Sequence, residues 1–199
     1  MSVKNPIQHF EAQAFVATSG SEFSFLQTYK NYASLLTDAP EIYHEFSALN
    51  LLSLAVGRTP INVTPRQLYP NIWTILIGVS GISRKSTALC LADSILPDDY
   101  QRLPNDFTPE SLQECLSKQS QGLIIKEEIG GFLNSIKRRD FMVGTPDLLC
   151  QLYDCPSRYR KTLRSIDFKL ADVCFNIMAA TTPSRFLRQL NLQISTVVF

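Results

Sequence analysis

Apolar residues fall into a regular rhythm from Phe23 onward. Phe25, Leu26, Tyr29, Tyr32, Ala33 and Leu36 recur at three- and four-residue spacing, which predicts a helix of about four turns. Thr37-Asp38-Ala39-Pro40 breaks that rhythm. Thr37 or Asp38 is expected to cap a second helix, with Pro40 tolerated in its first turn. This helix is predicted over 41–56, with Ile42, Phe46, Leu49, Leu52 and Val56 as its inward stripe and Gly57 as its stop. His44, beside Glu41 and Glu45, reads as an exposed helical histidine. Residues 1–22 show little apolar periodicity and are expected to form a loosely attached arm.

Past Gly57 the pattern shortens. Residues 61–64 read as a brief strand, and 71–77 as a nearly continuous apolar run rich in β-branched residues, the signature of a strand buried on both faces. It leads into Gly78-Val79-Ser80-Gly81-Ile82-Ser83-Arg84-Lys85-Ser86-Thr87 and then a helical segment to Leu96. Thr108-Pro109-Glu110 opens a further helix, and 122–128 reads as a strand ending in Glu127 and Glu128. A helix over 129–137 follows, then a helix start at Thr145-Pro146-Asp147 and a basic, alternating hairpin over 158–170. Residues 174–180 form a third buried strand, followed by Thr181-Thr182-Pro183 and a helix through Leu190. Strands alternating with helices predict an α/β sheet of parallel strands. The expected organisation is an arm (1–22), a helical N-terminal cap (23–60) and a core (61–199).

Composition narrows the function classes. A hydrophobic content of 45% fills one core, and a net charge of +1 removes any whole-surface attraction to polyanions or membranes. No run of eighteen uncharged apolar residues occurs and the first residues do not resemble a secretory signal, so a cytoplasmic protein is expected. The five cysteines, an odd number without zinc-site spacing, are expected to be reduced, packed thiols.

The candidate chemistry lies in residues 78–87. A phosphate cradle needs backbone N–H groups aimed at the anion, a helix N-terminus, a lysine for the outer phosphates and a hydroxyl for Mg²⁺. Gly78, Ser80, Gly81, Ser83, Arg84, Lys85, Ser86 and Thr87 supply such a set, with Lys85 as the phosphate lysine and Ser86 as the metal hydroxyl. The strict G-x-x-x-x-G-K-[ST] pattern is not met, because Val79 and Arg84 stand where it requires glycine. The strand ending in two acids is similar to that of ASCE-type ATPases: Glu127 would hold Mg²⁺ and Glu128 would polarise the attacking water. Thr182 is the candidate γ-phosphate sensor, with adjacent Thr181 the other choice. ATP and Mg²⁺ are the expected ligands.

Phe25-Leu26-x-x-Tyr29, Asp38-Ala39-Pro40, Gly57-Arg58, Tyr69-Pro70-Asn71-Ile72-Trp73, the Gly78–Thr87 loop, Glu127-Glu128-Ile129 and Ala180-Thr181-Thr182-Pro183 together resemble a family of P-loop ATPases. That family occurs in phage, prophage and plasmid replication proteins, often fused to primase-polymerase domains. The resemblance implies a RecA/AAA+-like, ASCE-type P-loop NTPase core and ATP hydrolysis in a helicase or another replication step. DNA, a homo-oligomeric ring and a fused or associated primase are the partners it implies. The chain departs from the family at Glu127, where Asp is commoner, and at Phe199, where it stops as 194–198 begins what reads as another strand. A C-terminally truncated core is therefore expected.

Seven of the 19 basic residues fall between Lys137 and Arg164. Arg158, Tyr159, Arg160, Lys161 and Arg164 are the candidate contacts to DNA; cations would meet phosphates and Tyr159 would stack on an unpaired base. A solvated hairpin is the competing reading. For the whole chain, the alternative to an ATPase is a truncated module that binds nucleotide or protein without hydrolysis.

Overall fold

The computed structural model describes residues 24–63, 66–138, 140–162 and 167–189. In chain order these form α1 (Phe25–Ser34), α2 (Glu41–Val56), β1 (Ile61–Val63), β2 (Arg66–Leu68), β3 (Trp73–Ile77), α3 (Lys85–Asp93), α4 (Pro109–Lys118), β4 (Gln121–Lys126), α5 (Ile129–Arg138), a 3₁₀ turn (Asp140–Met142), α6 (Thr145–Tyr153), β5 (Arg158–Thr162), β6 (Asp167–Ala171), β7 (Cys174–Thr181) and α7 (Pro183–Gln189). The arm expected over 1–22, the strand expected over 194–198 and Arg164 lie outside the described residues.

β3, β7 and β4 form a parallel sheet with β7 in the centre, where Ile177 faces Trp73 on one side and Ile124 on the other. All eight residues of β7 are buried. Because side chains alternate along a strand, Phe175, Ile177 and Ala179 pack with Leu112, Phe132 and Leu148 of α4, α5 and α6. Met178 and Ala180 pack on the opposite face with Tyr29, Ala48 and Leu89 of α1, α2 and α3. The fold is thus a mixed α/β arrangement whose parallel sheet is flanked by helices. The two N-terminal helices share a core with the sheet rather than standing apart from it. β1–β2 and β5–β6 are antiparallel hairpins, the latter where the basic alternation predicts one. No described helix is long and apolar enough to cross a membrane.

Helix α2 turns a different face inward from the one its leucines predict. Ile42, Phe46 and Val56 are 50%, 39% and 49% exposed. Tyr43, His44, Ser47, Asn50 and Ser53 are buried instead. The cause is Asn176, a buried amide in the middle of β7 that must find partners. Its Nδ2 donates to Ser53 Oγ at 2.7 Å and to the Asn50 carbonyl at 3.3 Å, while its Oδ1 accepts from the Ile72 amide at 3.3 Å. Asn50 Nδ2 donates in turn to Thr74 Oγ1 at 3.1 Å, and the Ser53 hydroxyl to the Pro70 carbonyl at 2.6 Å.

Other local expectations are also corrected. Helix α1 has 10 residues rather than four turns, and Leu36 is exposed beyond its end. Pro40 occupies the N-cap of α2 without a side-chain bond. Thr37 Oγ1 instead accepts from the Ala39 amide at 3.2 Å inside the turn. Of the thiols, Cys155 and Cys174 are buried but Cys90 and Cys150 are exposed. His44 is buried against the edge of the Tyr29 ring, and desolvation lowers its pKa from the ordinary 6.5.

Two outcomes follow. Asn176→Ala strands the Ile72 amide and removes the bonds to Ser53 and Asn50, and should cost about 1–3 kcal/mol. Ile42→Ser should stay within about 0.5 kcal/mol, both read by urea denaturation. Because His44 has a lower pKa folded than unfolded, the unfolded chain takes up the proton first on acidification. The stability present above about pH 6.5 should therefore decline below it, and His44→Gln should flatten that decline in a series of urea midpoints.

Candidate functional site

The apolar run of β3 ends at Gly78, where a side chain has no room. A Cβ there would strike the Tyr43 hydroxyl and lie 2.5 Å from Ser83 Oγ. Tyr43 is held in that position by donating to the Ile77 carbonyl at 2.8 Å. The Ser83 amide and hydroxyl both bond the Val79 carbonyl, at 3.2 and 2.8 Å, and close the turn. Gly81 (φ +79°) and Arg84 (φ +49°) adopt left-handed backbone, so the loop turns back before α3 begins. Lys85, Ser86 and Thr87 then form the first turn of α3, whose amide groups have no partner within the helix. Ser80, Ser86 and Thr87 are exposed.

Lys85 is only 9% exposed. Its ammonium donates to the Gly78 carbonyl at 2.7 Å and the Val79 carbonyl at 3.3 Å, folding back onto its own loop. Arg84 Nε bonds Asp38 Oδ1 at 3.1 Å, an exposed pair joining the loop to the α1–α2 turn.

The acids arrive from β4. Glu127 is exposed, and Cys90 Sγ lies 3.8 Å from its Oε1. Ser86 and Cys90 are one helical turn apart, so Glu127 faces the side of α3 that carries Ser86. Although Cys90 is exposed, partial desolvation of its thiol, and then Glu127 itself, push its pKa up. Glu128 is held more firmly. Its Oε1 accepts from Thr181 Oγ1 at 2.7 Å and from the Gly130 amide at 2.9 Å, and its Oε2 pairs with Arg185 Nη1 at 3.2 Å. A cleft of about 560 Å³ opens beside these acids, lined also by Asp93, Arg102, Asp106 and Lys126. Arg102 pairs with Asp93, and Lys126 with Asp106.

Thr181 connects the two halves. Its carbonyl accepts from the Gly78 amide at 3.3 Å while its hydroxyl donates to Glu128. Thr182 takes another role: its carbonyl accepts from the Phe186 amide at 2.9 Å and its hydroxyl lies 3.3 Å from that of Ser184, at the start of α7. Alternation along β7 is the signal that separates the two threonines. Position 181 shares the face of Phe175, Ile177 and Ala179, on which α5 packs after Glu128. Arg185, in the first turn of α7, contacts Glu128 of the same chain.

Ser86 and Glu127 present the hard oxygens that Mg²⁺ takes together with substrate phosphates. Among the described residues, no group of three or more His, Cys, Asp or Glu could hold a metal ion by itself. In the hairpin, Arg160 makes two bonds to Asp167, at 3.1 and 2.9 Å. Tyr159 is half-buried against the core, because the alternation of β5 turns it inward, and burial raises its phenol pKa. Arg158 is exposed and Lys161 partly so. No protein-family model matches this chain, and no curated protein matches it.

Gly78→Ala is the sharpest test of the loop geometry. The added methyl group meets Tyr43 and Ser83, and overpacking of this kind should cost about 1–3 kcal/mol in thermal or urea unfolding. A variant as stable as the wild type would contradict the close approach described.

Proposed function

We propose that residues 78–87 bind the polyphosphate of ATP with Mg²⁺ and that Glu128 activates the water that hydrolyses it. The observation that carries the reading is the double engagement of Thr181, bonded to Gly78 through its carbonyl and to Glu128 through its hydroxyl. Lysine loop and acid pair consequently lie at the same end of one sheet, as phosphoryl transfer to water requires.

The electrostatics support it. The unpaired amides of the first turn of α3 and the positive end of its dipole favour an anion. Lys85 would exchange two neutral carbonyls for phosphate oxygens, a stronger, charge-assisted bond. Ser86 and Glu127 would hold the metal, which supplies charge neutralisation on the phosphates. Glu128 would accept the proton of the attacking water. The resemblance to phage and plasmid replication ATPases extends the reading to work on DNA, with Arg158 and Lys161 as the hairpin cations available for phosphate contacts. A second reading, nucleotide binding without turnover, draws on the three bonds that engage Glu128.

Equilibrium titration of ATP·Mg²⁺, combined with turnover assays with and without single-stranded DNA, tests the proposal. Lys85→Ala should lose binding. Glu128→Gln should bind and lose hydrolysis by about a hundredfold or more. Equal ATP affinity in wild type and Lys85→Ala contradicts the site, whereas a wild type that binds without turnover selects the second reading.

A further inference from the structure

We infer that Arg185 is a positioning residue that blocks Glu128 in the nucleotide-free protein and is drawn off it by the outermost phosphate of ATP. The inference rests on the nucleotide-site reading above and adds a control step to it.

The argument starts from the two oxygens of one carboxylate. Oε1 of Glu128 accepts two hydrogen bonds, from Thr181 Oγ1 and the Gly130 amide. Those bonds fix its orientation. Oε2 is then the oxygen left to receive a proton, and Arg185 Nη1 sits on it at 3.2 Å. The chain is built for this approach. Pro183 starts α7 directly after β7, and the Cβ of Arg185 comes within 3.2 Å of where a side chain on Gly130 would begin. Any larger residue at 130 would also crowd Glu128 Oε1, at 2.8 Å.

The pair is also made to be exchanged. Arg185 is 58% and Glu128 34% exposed, so water screens their attraction and holds it well below that of a buried pair. A terminal phosphate offers a guanidinium more charge and a bidentate arrangement of oxygens. The two cations of the loop are likewise occupied by the chain itself, Arg84 by Asp38 and Lys85 by the Gly78 and Val79 carbonyls. A triphosphate competes for all three. When Arg185 leaves, Oε2 takes a proton from water as the water oxygen bonds to the terminal phosphorus and the bridging bond to the β-phosphate breaks, giving ADP and phosphate. ADP, lacking the terminal group, leaves Arg185 where it is.

Calorimetric titration with ADP and with the β,γ-imido analogue of ATP, both with Mg²⁺, tests the exchange without turnover. Arg185→Gln should reduce the preference for the triphosphate by about tenfold and leave ADP affinity unchanged, and Arg185→Lys should restore part of it. Glu128→Gln, which weakens the competing pair, should tighten the triphosphate by about three- to tenfold, and this gain should vanish in Glu128→Gln/Arg185→Gln. An unchanged preference in Arg185→Gln, with binding still lost in Lys85→Ala, overturns this inference alone. So does a gain from Glu128→Gln that persists in the double variant, since it would then reflect only the lost negative charge. A wild type that binds neither nucleotide overturns the site reading and this inference together.

Discussion

Burying a polar side chain without a partner costs about 1–3 kcal/mol, and the central strand of this protein buries two, Asn176 and Thr181. Much of the remaining architecture answers to them. Asn176 draws Asn50 and Ser53 inward and so sets the rotation of α2 against the sheet. Thr181 lies at the other end of the strand, where its hydroxyl fixes Glu128 and its carbonyl takes the first amide after β3. One strand thereby anchors the helical layer at its middle and the candidate site at its end.

The site so assembled is satisfied from within. Lys85 rests on loop carbonyls, Arg84 on Asp38 and Arg185 on Glu128. Each is a modest interaction that a polyanion can replace, and the arrangement keeps the cations close to the loop without leaving them unpaired. Gly78 lets the loop pass beneath Tyr43, so the α2 helix and the loop are mechanically joined.

Much of this was legible in the sequence. The continuous apolar run of β7, the Thr108-Pro109 helix start and the alternating basic hairpin take the form their patterns predict, because in each the local signal and the burial agree. β3 is a strand as its run predicts, but at the sheet edge it leaves Ile75 and Ile77 exposed instead of being buried on both faces. Thr108 and Ser111 even form a reciprocal capping box. The face of α2 was not legible, since reading an apolar stripe assumes an apolar core and this core contains an amide. The burial of His44 is not legible either: its carboxylate neighbours along the chain say nothing of the face that packs on Tyr29. The loop and the acid pair could be found by residue type and order, but the choice of Thr181 over Thr182 as the partner of Glu128 needed the register of β7. The contact between Arg185 and Glu128 joins residues far apart in sequence, so only the fold reveals it.

The central claim is that residues 78–87 and the ends of β4 and β7 act as one nucleotide site. Hydrogen exchange of the backbone amides, followed with and without ATP·Mg²⁺, addresses it most directly because the loop and the first turn of α3 expose amides that a bound phosphate would cover. The account predicts slowed exchange over residues 78–87 and altered exchange at Gly130, whose amide bonds Glu128, with little change in the β5–β6 hairpin. Identical exchange over residues 78–87 in the two conditions would contradict it.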